Sequence, residues 1–240
     1  MKTCVLFSGG KDSTLALWCA IHQAHDVSCL LTVFPERRDS WMFHHPGVEW
    51  THLQAEAIGI PQVTAKTSGV KEDELTALSQ SLSRLMISHG IERVVTGAIA
   101  SEYQKSRVDR ICDQLGLRSM APLWGLDPER LLADQIQMGF EFILTASMAM
   151  GFDRSWLGRV IDEEAFSELK GLRDKYGINL AFEGGEAETF VTDAPIFASK
   201  IRILESEPIW KGDAGYLNIL RADLVQKQLR NQSNGSAGLL

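Results

Sequence analysis

The sequence predicts an α/β protein, a doubly wound parallel sheet carrying a second, smaller α/β domain. Three observations carry that prediction. Strand-like and helix-like segments alternate through the first half with short connections. The strand-like runs are apolar nearly throughout, as strands covered on both faces are, and polar clusters recur at the ends of successive strands. After Pro122-Leu123-Trp124 the order changes, so residues 1–124 are expected to form the first domain, 125–228 the second, and 229–240 a loose tail without periodicity.

TCVLF at 3–7 is the first strand and 13–24 the first helix. VSCLLTV at 27–33 is the second strand, followed by a helix at 50–58 and a strand QVTAK at 62–66. A helix is expected over 72–89, because Leu75, Leu78, Leu82, Leu85 and Met86 recur at spacings of three and four and make one apolar stripe. RVVTGAI at 93–99 reads as a strand and 104–115 as a helix; Gly59, Gly90 and Gly116 each fall just past a helix as its stop. In the second half, a helix from Pro128 to Met138, a strand in EFILTASMAM and a helix at 162–176 precede FVTDAPIFASKIRILES and GYLNILRADLV, which read as strands with turns between them.

The net charge is −7 and no block of Lys or Arg forms a stripe, which argues against stable nucleic-acid binding through phosphate neutralisation. No apolar run reaches the ~18 residues of a spanning helix, so no membrane partner is expected. The opening MKTCVLF enters a strand at once, without the long apolar core and cleavage site of a secretory signal, and a cytoplasmic protein is expected. Cys4, Cys19, Cys29 and Cys112 include no C-x-x-C pair, which disfavours structural zinc and iron–sulfur clusters; core packing is their default fate.

The chemistry is expected where strands end. FSGGKDS, residues 7–13, closes the first strand and opens a helix. Gly9 and Gly10 let the backbone turn several N–H groups toward one anion, the helix start adds its positive dipole end, Lys11 adds a point charge, and Ser8 and Ser13 offer hydroxyls. Asp12 is repulsive to phosphate unless a divalent cation lies between them, which points to a magnesium nucleotide; a first-turn acid that merely suits the helix dipole is the plainer alternative. The spacing is not the Walker G-x-x-x-x-G-K-[ST]. SGGKDS instead resembles the PP-loop of the Rossmann-like ATP pyrophosphatases, which cleave ATP between the α and β phosphates.

Two further stretches stand out. In GAIASEYQKSR, residues 97–107, Ser101 is a plausible N-cap, while Tyr103, Gln104 and Arg107 are polar groups near the same rim; Arg107 either meets the α-phosphate side of a nucleotide or forms a surface salt bridge. In EGGEAET, residues 183–189, three carboxylates stand within six residues and repel each other unless water or cations screen them. They read as a metal site, as the source of a general base for an attacking amine, or as a solvated acidic turn. The adjacent His44 and His45 do not have the helix-face spacing of a zinc pair.

Taken together, SGGKDS at 8–13, DSWMFHHP at 39–46, LQAEAIGIP at 53–61, GAIASEYQKSR at 97–107, PLW at 122–124 and EGGEAETFVTDAP at 183–195 resemble the diphthine-ammonia ligase family, over roughly residues 1–225. The resemblance implies that ATP adenylates the diphthine carboxylate on translation elongation factor 2, that pyrophosphate leaves, and that ammonia displaces AMP to give the amide. It implies Lys11, Asp12, Glu183, Glu186 and Glu188 as catalytic residues. Ser8, Gly9, Gly10, Lys11, Asp12, Ser13, Gly97 and Arg107 would bind ATP, with Asp12 on Mg2+. Ser40, Trp41, Phe43, His44, Glu102, Tyr103, Gln104, Gly184, Gly185 and Thr189 would face the substrate. Because no cysteine sits in a G-x-C-x-G turn, ammonia is expected from solution or from a separate subunit rather than from glutamine hydrolysis here. Diphthine carries a quaternary ammonium, so Trp41, Phe43, Trp50, Tyr103 and Trp124 are candidates for a cage around it. A homo-oligomer is compatible with the sequence. The competing readings are a PP-loop tRNA-modifying adenylase and a non-catalytic adenine-nucleotide sensor.

Overall fold

The computed structural model describes residues 1–35, 47–67 and 71–227. Ser40, Trp41, Phe43 and His44, read above as substrate-facing, lie outside the described residues, as does the segment 229–240.

The first sheet contains β1 (Lys2–Leu6), β2 (Asp26–Pro35), β3 (Gln62–Thr67), β4 (Ile91–Val95) and β5 (Arg118–Met120), parallel throughout in the order β3-β2-β1-β4-β5. The chain winds outward from β1 in both directions, so the doubly wound expectation holds. It crosses between strands through α1 (Lys11–His22), α2 (Thr51–Ile58), α3 (Lys71–His89) and α4 (Glu102–Leu115). Alternation along the first strand assigns its two faces: Val5 and Phe7 join the core beneath α1 and α2, whereas Cys4 and Leu6 face Leu82 and Leu85 of α3. Gly59 and Gly116 end their helices at φ +78° and +72°, the left-handed conformation that a C-terminal stop requires.

Beside the site, one strand is shorter than the sequence reading and one short strand is added to it. The strand expected over 93–99 ends at Val95: Thr96 makes a last bond to the Met120 carbonyl, and the chain then turns across the start of α1. The three-residue β5 that supplies this partner is too short to show a period.

The second sheet is antiparallel, in the order β7-β6-β9-β8, from β6 (Glu141–Ser147), β7 (Ala187–Asp193), β8 (Ser199–Lys211) and β9 (Ala214–Gln226). Helices α5 (Pro128–Gln137) and α6 (Glu163–Tyr176) accompany it, each begun by an aspartate whose carboxylate accepts a first-turn N–H: Asp127 from Arg130 and Asp162 from Ala165. One apolar core is continuous across both sheets, joining Phe7, Leu15 and Leu17 to Phe142, Phe190 and Leu217. Among the described residues no helix is long and apolar enough to cross a membrane.

Candidate active site

In a 3-2-1-4-5 parallel sheet the strand order reverses beside β1, and the crevice between the carboxyl ends of β1 and β4 is where a ligand finds room. Residues 8–13 occupy that position. Gly9 has φ +80°, and a Cβ there would stand 2.3 Å from Oε1 of Gln54, so conformation and space both require glycine. The α1 N-cap is Gly10, which brings no capping side chain to the helix start. Ser8 and Ser13 share a hydroxyl contact of 3.2 Å, and the Gly10 N–H lies 3.4 Å from the Ser8 hydroxyl.

The loop is held from the second sheet as well. The Val191 N–H donates to the Gly9 carbonyl at 3.0 Å, and the Lys11 N–H donates to the Thr189 hydroxyl at 3.1 Å. Lys11 is 2% exposed, and its ammonium reaches both Asp12 oxygens at 2.7 and 2.8 Å, the Ala181 carbonyl at 3.0 Å and the face of Phe182. Burial pushes the Asp12 carboxyl above its ordinary range; Lys11 pulls it down, and the charge of Glu183 adds to the rise.

The turn at 183–189 is less repulsive than its sequence suggests, because backbone N–H groups meet two of its carboxylates. Glu183 accepts from Ile99 and Ala100 at 2.7 Å each, which ties the turn before β7 to the segment after β4. Glu186 folds back to accept from Asn179 at 3.2 Å and Gly184 at 2.8 Å. Carboxylates bound this way need neither cations nor a shell of water to coexist. Phe182, just before the turn, has φ +64°, a rare conformation for a bulky residue, and its ring lies beside Lys11.

These elements enclose a cavity of about 400 Å³, within the range of small-molecule sites. Leu6, Leu31, Val33 and Leu78 make one part apolar. Ser8, Gly10, Lys11, Asp12, Ser13, Gly97, Gln104, Glu183, Gly185, Glu188 and Thr189 also line it, so most of the residues singled out from the sequence converge here. Gly9 is buried beneath the loop. Arg107, read above as a phosphate contact or a surface salt bridge, stacks instead on its helix neighbour Tyr103, its guanidinium 3.3 Å from the ring centroid. Glu102, Gly184 and Glu186 are likewise not among the described lining residues.

Of the rings proposed as a cation cage, the three among the described residues, Trp50, Tyr103 and Trp124, are engaged within the chain. Arg107 covers Tyr103, the Lys105 ammonium lies 5.3 Å from Trp124, and Trp50 donates to the Ile219 carbonyl at 3.2 Å beside the second sheet. Among the described residues no group of three or more His, Cys, Asp or Glu could hold a metal ion. Mg2+ needs no such group, since one or two carboxylates plus substrate phosphates suffice. Asp12 fits that role: it lines the cavity, its side chain is 24% exposed, and Glu183 stands near enough to raise its pKa.

Two residues that the sequence reading assigned no role complete the site. Gln54 of α2 and Gln135 of α5 are wholly buried and donate to the carbonyls of Gly9 and Lys11, at 2.8 and 3.0 Å. Gln54 falls within LQAEAIGIP, one of the stretches that carry the family resemblance, but that stretch gives its amide no particular role; the helix that holds Gln135 reads as an ordinary amphipathic segment.

Residues 1–119 match the family model described as diphthamide synthase N-terminal domain, and residues 127–225 match the model described as diphthamide synthase C-terminal domain. The chain is similar to a diphthine–ammonia ligase of Schizosaccharomyces pombe, 34% identical over 237 residues that cover 91% of this chain and 39% of that protein. It is also similar to one of Homo sapiens, 32% identical over an alignment of 255 positions, gaps included, that covers 95% of this chain and 94% of that protein. A solved structure described as a predicted subunit of tRNA methyltransferase from Methanocaldococcus jannaschii overlaps it with a TM-score of 0.38 at 14% identity, over 81% of this chain and 99% of that one.

Proposed function

This chain belongs to the diphthamide synthase family, and from that premise we propose that it is an ATP-dependent diphthine–ammonia ligase, acting in the cytoplasm on translation elongation factor 2. The observation that carries the reading is the convergence, in one cavity at the sheet's reversal point, of an anion cradle from the first domain and the Glu183–Thr189 turn from the second.

A carboxylate is a poor electrophile and must be activated before an amine will attack it. In the proposed sequence a diphthine carboxylate oxygen bonds to the α-phosphorus of ATP, the α–β bridge breaks, and pyrophosphate leaves. Ammonia then bonds to the acyl carbon, AMP departs with the former carboxylate oxygen, and the nitrogen gives up a proton. The Gly10 N–H, Lys11 and the Ser8 and Ser13 hydroxyls are the groups that hold the departing charge, as donors already in place before it develops. Asp12 would hold Mg2+, which supplies charge neutralisation on the phosphates. Leu6, Leu31, Val33 and Leu78 offer the adenine ring an apolar slot. Glu188 lines the cavity and is assigned the proton from the attacking nitrogen, whereas Glu183 and Glu186, each accepting two backbone N–H groups, shape the site.

The test is incubation of the protein with Mg-ATP, an ammonium salt and diphthine-bearing elongation factor 2. AMP, pyrophosphate and amide are expected in equal amounts, with no AMP when the modified factor is left out. AMP formation that depends on tRNA instead would refute the ligase reading.

A further inference from the structure

The two buried glutamines are the polar groups whose arrangement a packing role explains least. Gln54 and Gln135 are both 0% exposed, they come from the helices α2 and α5, and both direct their amide nitrogen at the backbone of one short loop. Gln54 Nε2 donates to the Gly9 carbonyl and to the Val191 carbonyl, at 2.8 Å each; Gln135 Nε2 donates to the Lys11 carbonyl at 3.0 Å. The carboxamide orientation is not interchangeable, because turning either amide over would set oxygen against a carbonyl. In this orientation Oε1 of each residue is buried with no hydrogen-bond partner among the described residues. An apolar side chain of the same length would avoid that unmet acceptor.

What the arrangement achieves follows from peptide geometry. In a trans peptide the carbonyl and the next residue's N–H point in opposite directions. Anchoring the Gly9 carbonyl on Gln54 and Val191 therefore turns the Gly10 N–H the other way, toward Ser8, which lines the cavity. The Lys11 carbonyl held by Gln135 belongs to the same peptide plane as the Asp12 N–H, in the first turn of α1, so gripping it fixes that plane. We infer that Gln54 and Gln135 are positioning residues for ATP cleavage, holding two peptide planes of the loop so that their N–H groups face the phosphates. Neither amide touches ATP in this arrangement: Gln54 acts through the backbone it grips, and Gln135 through the Lys11 carbonyl and the neighbouring Asp12 carboxylate, whose charged form it favours. The inference rests on the ligase reading and adds to it the source of the loop's rigidity, one amide from each domain.

The test uses Gln54→Met and Gln135→Met, which keep side-chain length and bulk while removing the donors, with Gln54→Asn and Gln135→Asn as second variants should a methionine variant fail to fold. Three quantities are read: the kinetics of AMP formation by the full reaction, the Kd for α,β-methylene-ATP, and the thermal midpoint without nucleotide. Misaligned donors are expected to lower kcat ~10–100-fold and to weaken the analogue ~10-fold, with KM for the modified factor unchanged. A merely structural role would lower the midpoint and leave the folded fraction with wild-type kcat and Kd; that result overturns the inference. Wild-type protein that neither binds the analogue nor makes AMP would refute the ligase reading itself, before any variant is compared.

Discussion

At the scale of single residues, the site is governed by a lysine that has almost no solvent. Lys11 is 2% exposed, and both oxygens of Asp12 supply its counter-charge. Replacing it with methionine removes a charge from the cradle and strands the carboxylate. The rate of pyrophosphate release is expected to fall ~10²–10³-fold. Stability should drop by about 2 kcal/mol, less than for a fully enclosed pair because Asp12 keeps some contact with water. Pyrophosphate release and urea unfolding measure the two effects, and a Lys11→Met protein with the wild-type rate would remove Lys11 from the cradle. The cysteines allow a second check. Cys4, Cys29 and Cys112 are 0% exposed, and burial pushes the Cys112 thiol up to about 11, so little of it is the reactive thiolate at pH 8. Cys19 is half-buried. Native protein treated with Ellman's reagent at pH 8 should release one equivalent of chromophore, slowly, and unfolded protein four; rapid reaction of more than one thiol in the native state would contradict the packing described for β1, β2 and α4.

At the scale of elements, the decisive contact is the segment after β4 crossing the first turn of α1. A Cβ on Gly97 would lie 2.8 Å from both the Asp12 carbonyl carbon and the Ser13 nitrogen. Those are backbone atoms, so no side chain can swing aside to relieve the clash. Gly97→Ala is expected to cost ~1–3 kcal/mol and to separate Glu183 from the Ile99 and Ala100 N–H groups. AMP formation would then fall more than stability alone explains, measured as kcat at a temperature where the variant is fully folded. A variant with unaltered kcat would show that the crossing is not needed for the chemistry. The same contact divides what can be read from sequence from what cannot. Periodicity and glycine stops delimit α3 and the ends of α2 and α4, and the loop at 8–13 advertises its chemistry because its glycines, lysine and serines are neighbours in the chain. Thr96–Ile99 reads as strand because its composition is apolar, and only the position of α1 explains why it bends away. The partners of Glu183 are about 80 residues distant in sequence, and Gln135 is more than 120 from the loop it grips, so no local pattern reveals either.

At the scale of the whole molecule, a match to two domain families raises the question whether the chain unfolds as two units. The packing argues that it does not. The core that contains Phe7, Leu15 and Leu17 from the parallel half also contains Phe142, Phe190 and Leu217 from the antiparallel half. The loop at 8–13 is bonded to Thr189, Val191 and Gln135, so separating the halves exposes apolar surface and breaks the cradle at once. Calorimetry should therefore give one endotherm with equal calorimetric and van't Hoff enthalpies. Because ATP would bind only the joined form, it should raise the midpoint of that single transition. At a free concentration of 100 times Kd the stabilisation is about 2.7 kcal/mol, which for a chain of this size is a rise of roughly 5–10 °C. Lys11→Met, with its weakened cradle, should show a smaller rise at the same ATP concentration. Two endotherms, with ATP shifting only one, would mean that the parallel half binds nucleotide alone. The grip from the second sheet would then be a consequence of packing rather than a condition for the site.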